Sequence, residues 1–158
     1  MIPLSINDKS LYEIFDPESY MSSWTDEELL LESLSKCMLP SEVRLTSETY
    51  SRDAERTADY ELEELTFVNR KAKPEFTWGL IRADYVERLF NFLGYTYDFK
   101  NADGVVIPVK AADLSITYRD FTGLRTINAY LGQTIEGTLI EEGGVLYWEN
   151  FRIAFPER

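Results

Sequence analysis

One stretch of this chain repeats every three to four residues, and almost everything after it repeats every two. Between residues 83 and 93, Val86, Leu89, Phe90 and Leu93 fall at i, i+3, i+4 and i+7, a single apolar stripe on a helix. Asp84 stands at its cap or in its first turn, and Gly94 follows its last turn as a stop. Around that helix, short alternating runs are separated by turn signals about every 8–12 residues, the spacing of sandwiches and barrels. Strands are predicted over 74–81 (PEFTWGLI, with Phe76, Trp78 and Leu80 on one face), 95–99, 104–109, 113–119, 124–131, 134–141 and 145–154. Glu142-Gly143-Gly144 supplies a tight hairpin turn between the last two. The pattern predicts a mainly β, α+β chain: an antiparallel β-sandwich or barrel-like fold with one principal α-helix.

The first part is less regular. Residues 1–15 alternate loosely through Leu4, Ile6, Leu11, Ile14 and Phe15 and read as an N-terminal strand or arm. Asp16-Pro17 breaks it, because the residue before proline avoids helical geometry. Residues 16–41 read as a short helical insertion: Thr25-Asp26-Glu27-Glu28 has capping-box form, and Leu30, Leu34 and Cys37 follow at helical spacing, giving a helix near 26–37. On that stripe Cys37 is expected to be a small buried hydrophobe. Residues 42–50 (EVRLTSETY) read as a strand, with SRDAER as a polar tip. Residues 58–68 fit a strand bulged near Glu63-Glu64 or a helix using Ala58, Leu62 and Leu65; Thr66, Phe67 and Val68 favour the strand. The two strands would form an extended acidic hairpin over 42–69, projecting about 25 Å at the usual rise per residue. The 158 residues then make a single domain, with 70–158 as its sandwich core.

Charge narrows the function. The chain has 16 Lys and Arg against 28 Asp and Glu, a net charge of −12, which excludes the basic footprint of a nucleic-acid-binding module. The excess is local: residues 1–66 hold 16 acidic and 5 basic residues, a net of −11, and residues 67–158 hold 12 and 11, a net of −1. There is no histidine, so the commonest general base and metal ligand are absent and His-based triads are excluded. With Cys37 as the only cysteine, an intramolecular disulfide and multi-cysteine zinc sites are excluded too. The glycines form no phosphate loop, and Asn101-Ala102-Asp103-Gly104 reads as a β-turn without the spaced donors of a calcium loop. No catalytic residue, metal site or cofactor is expected, nor an enzyme of any class. The N-terminus lacks the basic region of a signal peptide, and no apolar run is long enough to span a bilayer.

The segments KPEFTWGLI, RADYVERLFNFLG and LSITYRDFTGLRTINAYLG together resemble the small tail-module proteins of tailed bacteriophages and prophages of Gram-positive hosts. The matching positions are Lys73, Trp78, Gly79, Tyr118, Asp120, Gly123, Tyr130 and Gly132, within about residues 70–132. The N-terminal half departs from that pattern, with extra residues around 26–55. The resemblance implies a tail-tube or distal-tail type of sandwich with a flanking helix. It further implies a homo-oligomer in hexameric rings around a DNA-conducting channel, with other tail proteins as partners, made in the host cytoplasm and located in the virion tail.

In such a ring the acidic hairpin would line the lumen, with Glu48, Asp53, Glu55, Asp59, Glu61 and Glu63 as candidate lumen acids. A negatively charged wall repels the phosphate backbone, so DNA passes without tight binding. Phe76, Trp78, Phe90, Tyr147, Trp148 and Phe151 are candidate core or subunit-contact aromatics. Residues 1–15 or 145–158 are candidates for docking on a neighbour by edge addition. The alternative is an acidic DNA mimic that inhibits a host defence or DNA-binding protein, which the charge and small size suit equally.

Overall fold

A computed structural model describes residues 4–52, 66–94, 99–100, 103–104, 106–107 and 114–158. It is mainly antiparallel β with a few helices. The chain opens with β1 (Leu4–Ile6) and β2 (Lys9–Ser10), joined by Asn7 and Asp8, both at positive φ. Helix α1 (Leu11–Phe15) follows at once, capped by the Ser10 hydroxyl on the Glu13 amide. Helix α2 (Asp26–Ser35) begins at the predicted capping box: Thr25 accepts from the Glu28 amide, and Glu28 accepts from the Thr25 amide. Then come β3 (Glu42–Arg52), β4 (Thr66–Arg82) and α3 (Ala83–Leu93), which Gly94 closes in the left-handed region. The remaining strands are β5 (Phe99–Lys100), β6 (Val106–Ile107), β7 (Leu114–Asp120), β8 (Gly123–Ala129), β9 (Glu136–Glu142) and β10 (Val145–Ala154). Gly143 and Gly144 both take positive φ in the β9–β10 turn, a geometry that side chains with a Cβ resist.

The strands form a four-stranded sheet ordered β2-β1-β7-β8, a second ordered β3-β4-β10-β9, and the small β5–β6 pair. Both larger sheets feed one core with α1 and α3. Leu4, Ile6, Ile116 and Tyr118 come from the first sheet, and Phe76, Trp78 and Ile153 from the second. Tyr85, Val86, Leu89 and Leu93 bury the helical stripe of α3, with Tyr85 stacked on Phe15 at 5.6 Å. The C-terminal tail ties the sheets together. The Phe155 and Glu157 amides donate to the Pro74 and Ala72 carbonyls of β4, while Tyr130 and Arg158 amides bond across to Pro156 and Asn128.

Several expectations are corrected. The hairpin boundary at residue 69 falls inside β4, one continuous strand that pairs with β3 from Glu42↔Thr77 to Arg52↔Thr66. Lys71 and Lys73 point outward on either side of inward Ala72, so burial continues through Ala72, Pro74, Phe76 and Trp78. Leu80 is exposed, and Ile81 is buried in its place. Residues 58–65 lie outside the described residues. Cys37 is exposed: α2 ends at Ser35, Cys37 takes a positive φ, and Met38 enters the core instead. The buried face of α2 is Leu29 and Ser33, so Leu34 points outward. The terminal segments expected to reach a neighbour are used within the chain, since β1 pairs with β7 and β10 lies between β4 and β9.

Candidate functional site

Two charged clusters hold the chain's loose ends. In the first, the Lys36 ammonium donates to the Tyr12 hydroxyl at 2.7 Å and to Asp16 at 3.3 Å, while Arg88 donates to the Phe15 carbonyl and lies 4.0 Å from Asp16. Burial works to raise the Asp16 carboxyl, but the Ser19 and Lys36 hydrogen bonds outweigh it and hold the group below its ordinary value. The Tyr12 hydroxyl and the Asp16 carboxylate together raise Lys36 against a smaller desolvation penalty. The cluster fixes α2 against α1 and α3.

In the second, Arg125 of β8 donates to Asp120 at 3.2 Å and to both Glu157 oxygens at 3.4 Å, and Glu157 also accepts the Ala72 amide at 2.8 Å. One guanidinium thus joins the β7–β8 hairpin to the tail, and the tail to β4. Burial costs Arg125 some of its charge preference, but its carboxylate neighbours more than restore it and raise its pKa. Beneath it Tyr118 is fully buried, and burial together with the Asp120 charge pushes its phenol up. Both clusters are devices for holding structure: every carboxylate in them already has a cation.

The positions carrying the sequence resemblance divide by location. Trp78 is buried and its indole nitrogen donates to the Met38 carbonyl at 2.9 Å; Tyr118 and Asp120 sit in the second cluster; Gly123 pairs with Asp120 at the hairpin turn. Lys73, Tyr130 and Gly132 come together around one surface groove beside the tail. Of the candidate aromatics, Phe76, Trp78 and Phe151 are buried, and Trp78 and Phe151 pack at 5.6 Å. Phe90 is half-buried, edge-on to Phe151 at 6.2 Å. Tyr147 and Trp148 are half-buried on the β9–β10 hairpin. Among the candidate lumen acids, the structure places the backbone of Glu48 in β3 opposite Lys71. Asp53, Glu55, Asp59, Glu61 and Glu63 lie outside the described residues.

Sequence reasoning singled out Tyr147 and Trp148 of the β9–β10 hairpin but not the exposed Leu139, Val145 and Leu146 beside them. No residue from 136 to 149 is buried, although this hairpin carries Leu139, Ile140, Val145, Leu146, Tyr147 and Trp148. The signal lay in the sequence: consecutive apolar residues put hydrophobic side chains on both faces of a strand, which suits a strand covered twice. Among the described residues, β3 pairs only with β4 and β9 only with β10, so both outer strands of this sheet have an open edge. Each edge strand exposes an apolar residue, Val43 at 40% and Leu139 at 50%. No helix among the described residues is long and apolar enough to cross a membrane, and no group of three potential ligands among them could hold a metal ion.

No protein-family model matches the sequence, and no curated protein matches it. Among solved structures, the chain is similar to one in the tail of an empty GTA particle with C6 symmetry. The two share 14% identity over 74% of each chain, with a TM-score of 0.38, too shallow a superposition to define a common fold.

Proposed function

We propose that this protein is a structural subunit of a phage-tail-like particle, building a ring by joining the open edges of its β3-β4-β10-β9 sheet to those of identical neighbours. The pair of open edges carries the reading. Every pairing in the sheet is antiparallel, so β9 of one copy meets β3 of a copy beside it in antiparallel sense. A sheet with an even number of antiparallel strands continues its alternation across each such joint. Edges of 11 and 7 residues left unpaired among the described residues are an aggregation hazard in a lone monomer and an asset in an assembly. A head-to-tail contact of this kind closes into a ring when its rotation allows. Six copies around a DNA channel, a place in the virion tail and an acidic lumen from the 42–69 region are the finer parts of the proposal. In it the protein is a scaffold and not an enzyme, consistent with charged clusters whose groups are engaged in holding the chain.

Lysine on an open edge blocks strand addition without disturbing the monomer. Wild-type protein is expected to form rings by light scattering and negative-stain imaging, and Val43→Lys or Leu139→Lys to leave folded monomers. Rings that survive both substitutions would sink the edge-joining reading. A monomeric wild type that competes with DNA for a DNA-binding protein would favour the mimic instead.

A further inference from the structure

The groove beside the C-terminal tail has a volume of about 460 Å³. Its floor is Gly132 and Ala154, packed so closely that a Cβ on Gly132 would stand 3.0 Å from the Ala154 carbonyl oxygen. Tyr130 and Pro156 give it apolar walls, and a cation lines each end. Arg152 lies opposite Thr77 in the sheet, and Lys73 is four residues further along β4, so the two ends are about 13 Å apart. Lys73 shares Glu75 at 3.7 Å, whereas Arg152 makes no ion pair among the described residues, although Glu136 is its cross-strand neighbour. Two cations, Lys73 and Arg152, and one acid, Glu75, thus line the groove, a net positive patch in a chain of net charge −12.

Helix α2 presents the complementary chemistry. Its outward stripe is Glu27, Leu31 and Leu34, at i, i+4 and i+7, with Glu28 and Glu32 beside it; Leu31 is 61% and Leu34 55% exposed. The stripe is about 10 Å long, a fit to the groove. The two surfaces cannot meet within one molecule. Residues 35–37 at the end of α2 lie against Leu80–Arg82, while the groove is at Lys73–Glu75, roughly 20 Å away along the same strand.

We propose that α2 of one copy docks in this groove on a second copy, with Leu31 and Leu34 on Tyr130 and Pro156 and the glutamates toward Lys73 and Arg152. The mode is an amphipathic helix in a groove. The contact runs along the strands, while edge joining runs across them, so the two build in different directions. This role, stacking one ring on another, rests on the ring reading; the contact itself is read from the two surfaces alone.

The test uses two charge-reversed full-length proteins, one with Lys73→Glu and Arg152→Glu, the other with Glu27→Lys and Glu32→Lys. Glu28 is left in place because it caps α2. Each protein alone meets like with like and is expected to self-associate at least about tenfold more weakly than wild type in sedimentation at low salt. Mixed, they restore opposite charges at every contact and are expected to recover wild-type association. A reversed protein whose assembly beyond single rings matches wild type overturns the contact, as does a mixture that fails to recover. Repeating the series on a Leu139→Lys background separates the two readings. Charge-dependent association that persists there without rings upholds the contact while the ring reading fails or is blocked. Wild-type rings that never stack overturn the contact and leave the ring reading standing.

Discussion

The β7–β8 and β9–β10 hairpins are put to opposite uses. In β7–β8, Leu114, Ile116 and Tyr118 point inward on one strand and Ile127 and Ala129 on the other, so burial sets the register. A slip by one residue would expose the whole set. In β9–β10, nothing from 136 to 149 is buried, and register is set by the paired turn glycines and by a bulge between Glu149 and Arg152, where Asn150 has positive φ. The first hairpin spends its apolar residues on the fold. The second packs Trp148 against the core but leaves Leu139, Val145 and Leu146 exposed, which under the ring proposal is the surface a neighbour would cover.

The comparison breaks most visibly at Tyr118. Tyr118→Ala removes a fully buried aromatic from the first hairpin and is expected to cost about 3–5 kcal/mol, measured by urea unfolding. A cost below about 1 kcal/mol would mean that burial does not set this register.

Arg125→Ala sharpens it by loosening the tail from the same hairpin. The change leaves Asp120 and Glu157 without their cation and is expected to cost about 1–3 kcal/mol. The Tyr130 and Glu157 amides, which bond to Pro156 and Ala72, should then exchange hydrogen faster than those of β10. Uniform acceleration across both sheets would show the tail to be no separate unit.

The helices test whether local chemistry outside both hairpins acts independently. Thr25→Ala removes the cap on α2 and is expected to cost about 1 kcal/mol. Asp16→Asn probes the other cluster through pH. Because the folded chain holds the Asp16 carboxyl below its ordinary value, its interactions stabilise the fold above the ordinary carboxylate range and are lost as pH falls through the folded value. The stability gap between wild type and Asp16→Asn should therefore be full near neutrality and close in acid. A gap that stays constant to low pH would assign it to packing.

The same division separates the legible parts of the chain from the illegible ones. Helix α3 and the capping box of α2 were legible because their signals are local: a stripe every three to four residues, and a threonine three positions before a glutamate. The later strands, 114–120 to 145–154, fall within a few residues of their predicted bounds because turns bracket them. The length of β4 was not legible, since Lys71, Lys73 and Pro74 look like a loop until β3 on one side and the C-terminal tail on the other supply neighbours. Cys37 departs from its expected place because α2 stops two residues early, which turns Lys36 and Cys37 out of the helical stripe. The candidate site was legible as charge but not as geometry. Composition places acids in 1–66, whereas the open edges and the cationic groove depend on which strands finish a sheet and which residues the tail crosses.

The smallest expected effect is the most informative about the second hairpin. Leu139 and Leu146 are about half exposed, so Leu139→Ser and Leu146→Ser give up little buried surface in the isolated chain. Each is expected to change unfolding stability by less than about 0.5 kcal/mol. If these side chains are held for a neighbour, the same substitutions weaken self-association by a far larger factor, because a contact made only in the assembly contributes nothing to the monomer. A large loss of monomer stability would instead mean that residues 136–149 pack on parts of the chain outside the described residues. The contrast with Tyr118 would then shrink to a difference of degree, so urea unfolding and sedimentation on the same two variants decide between a spare surface and a hidden one.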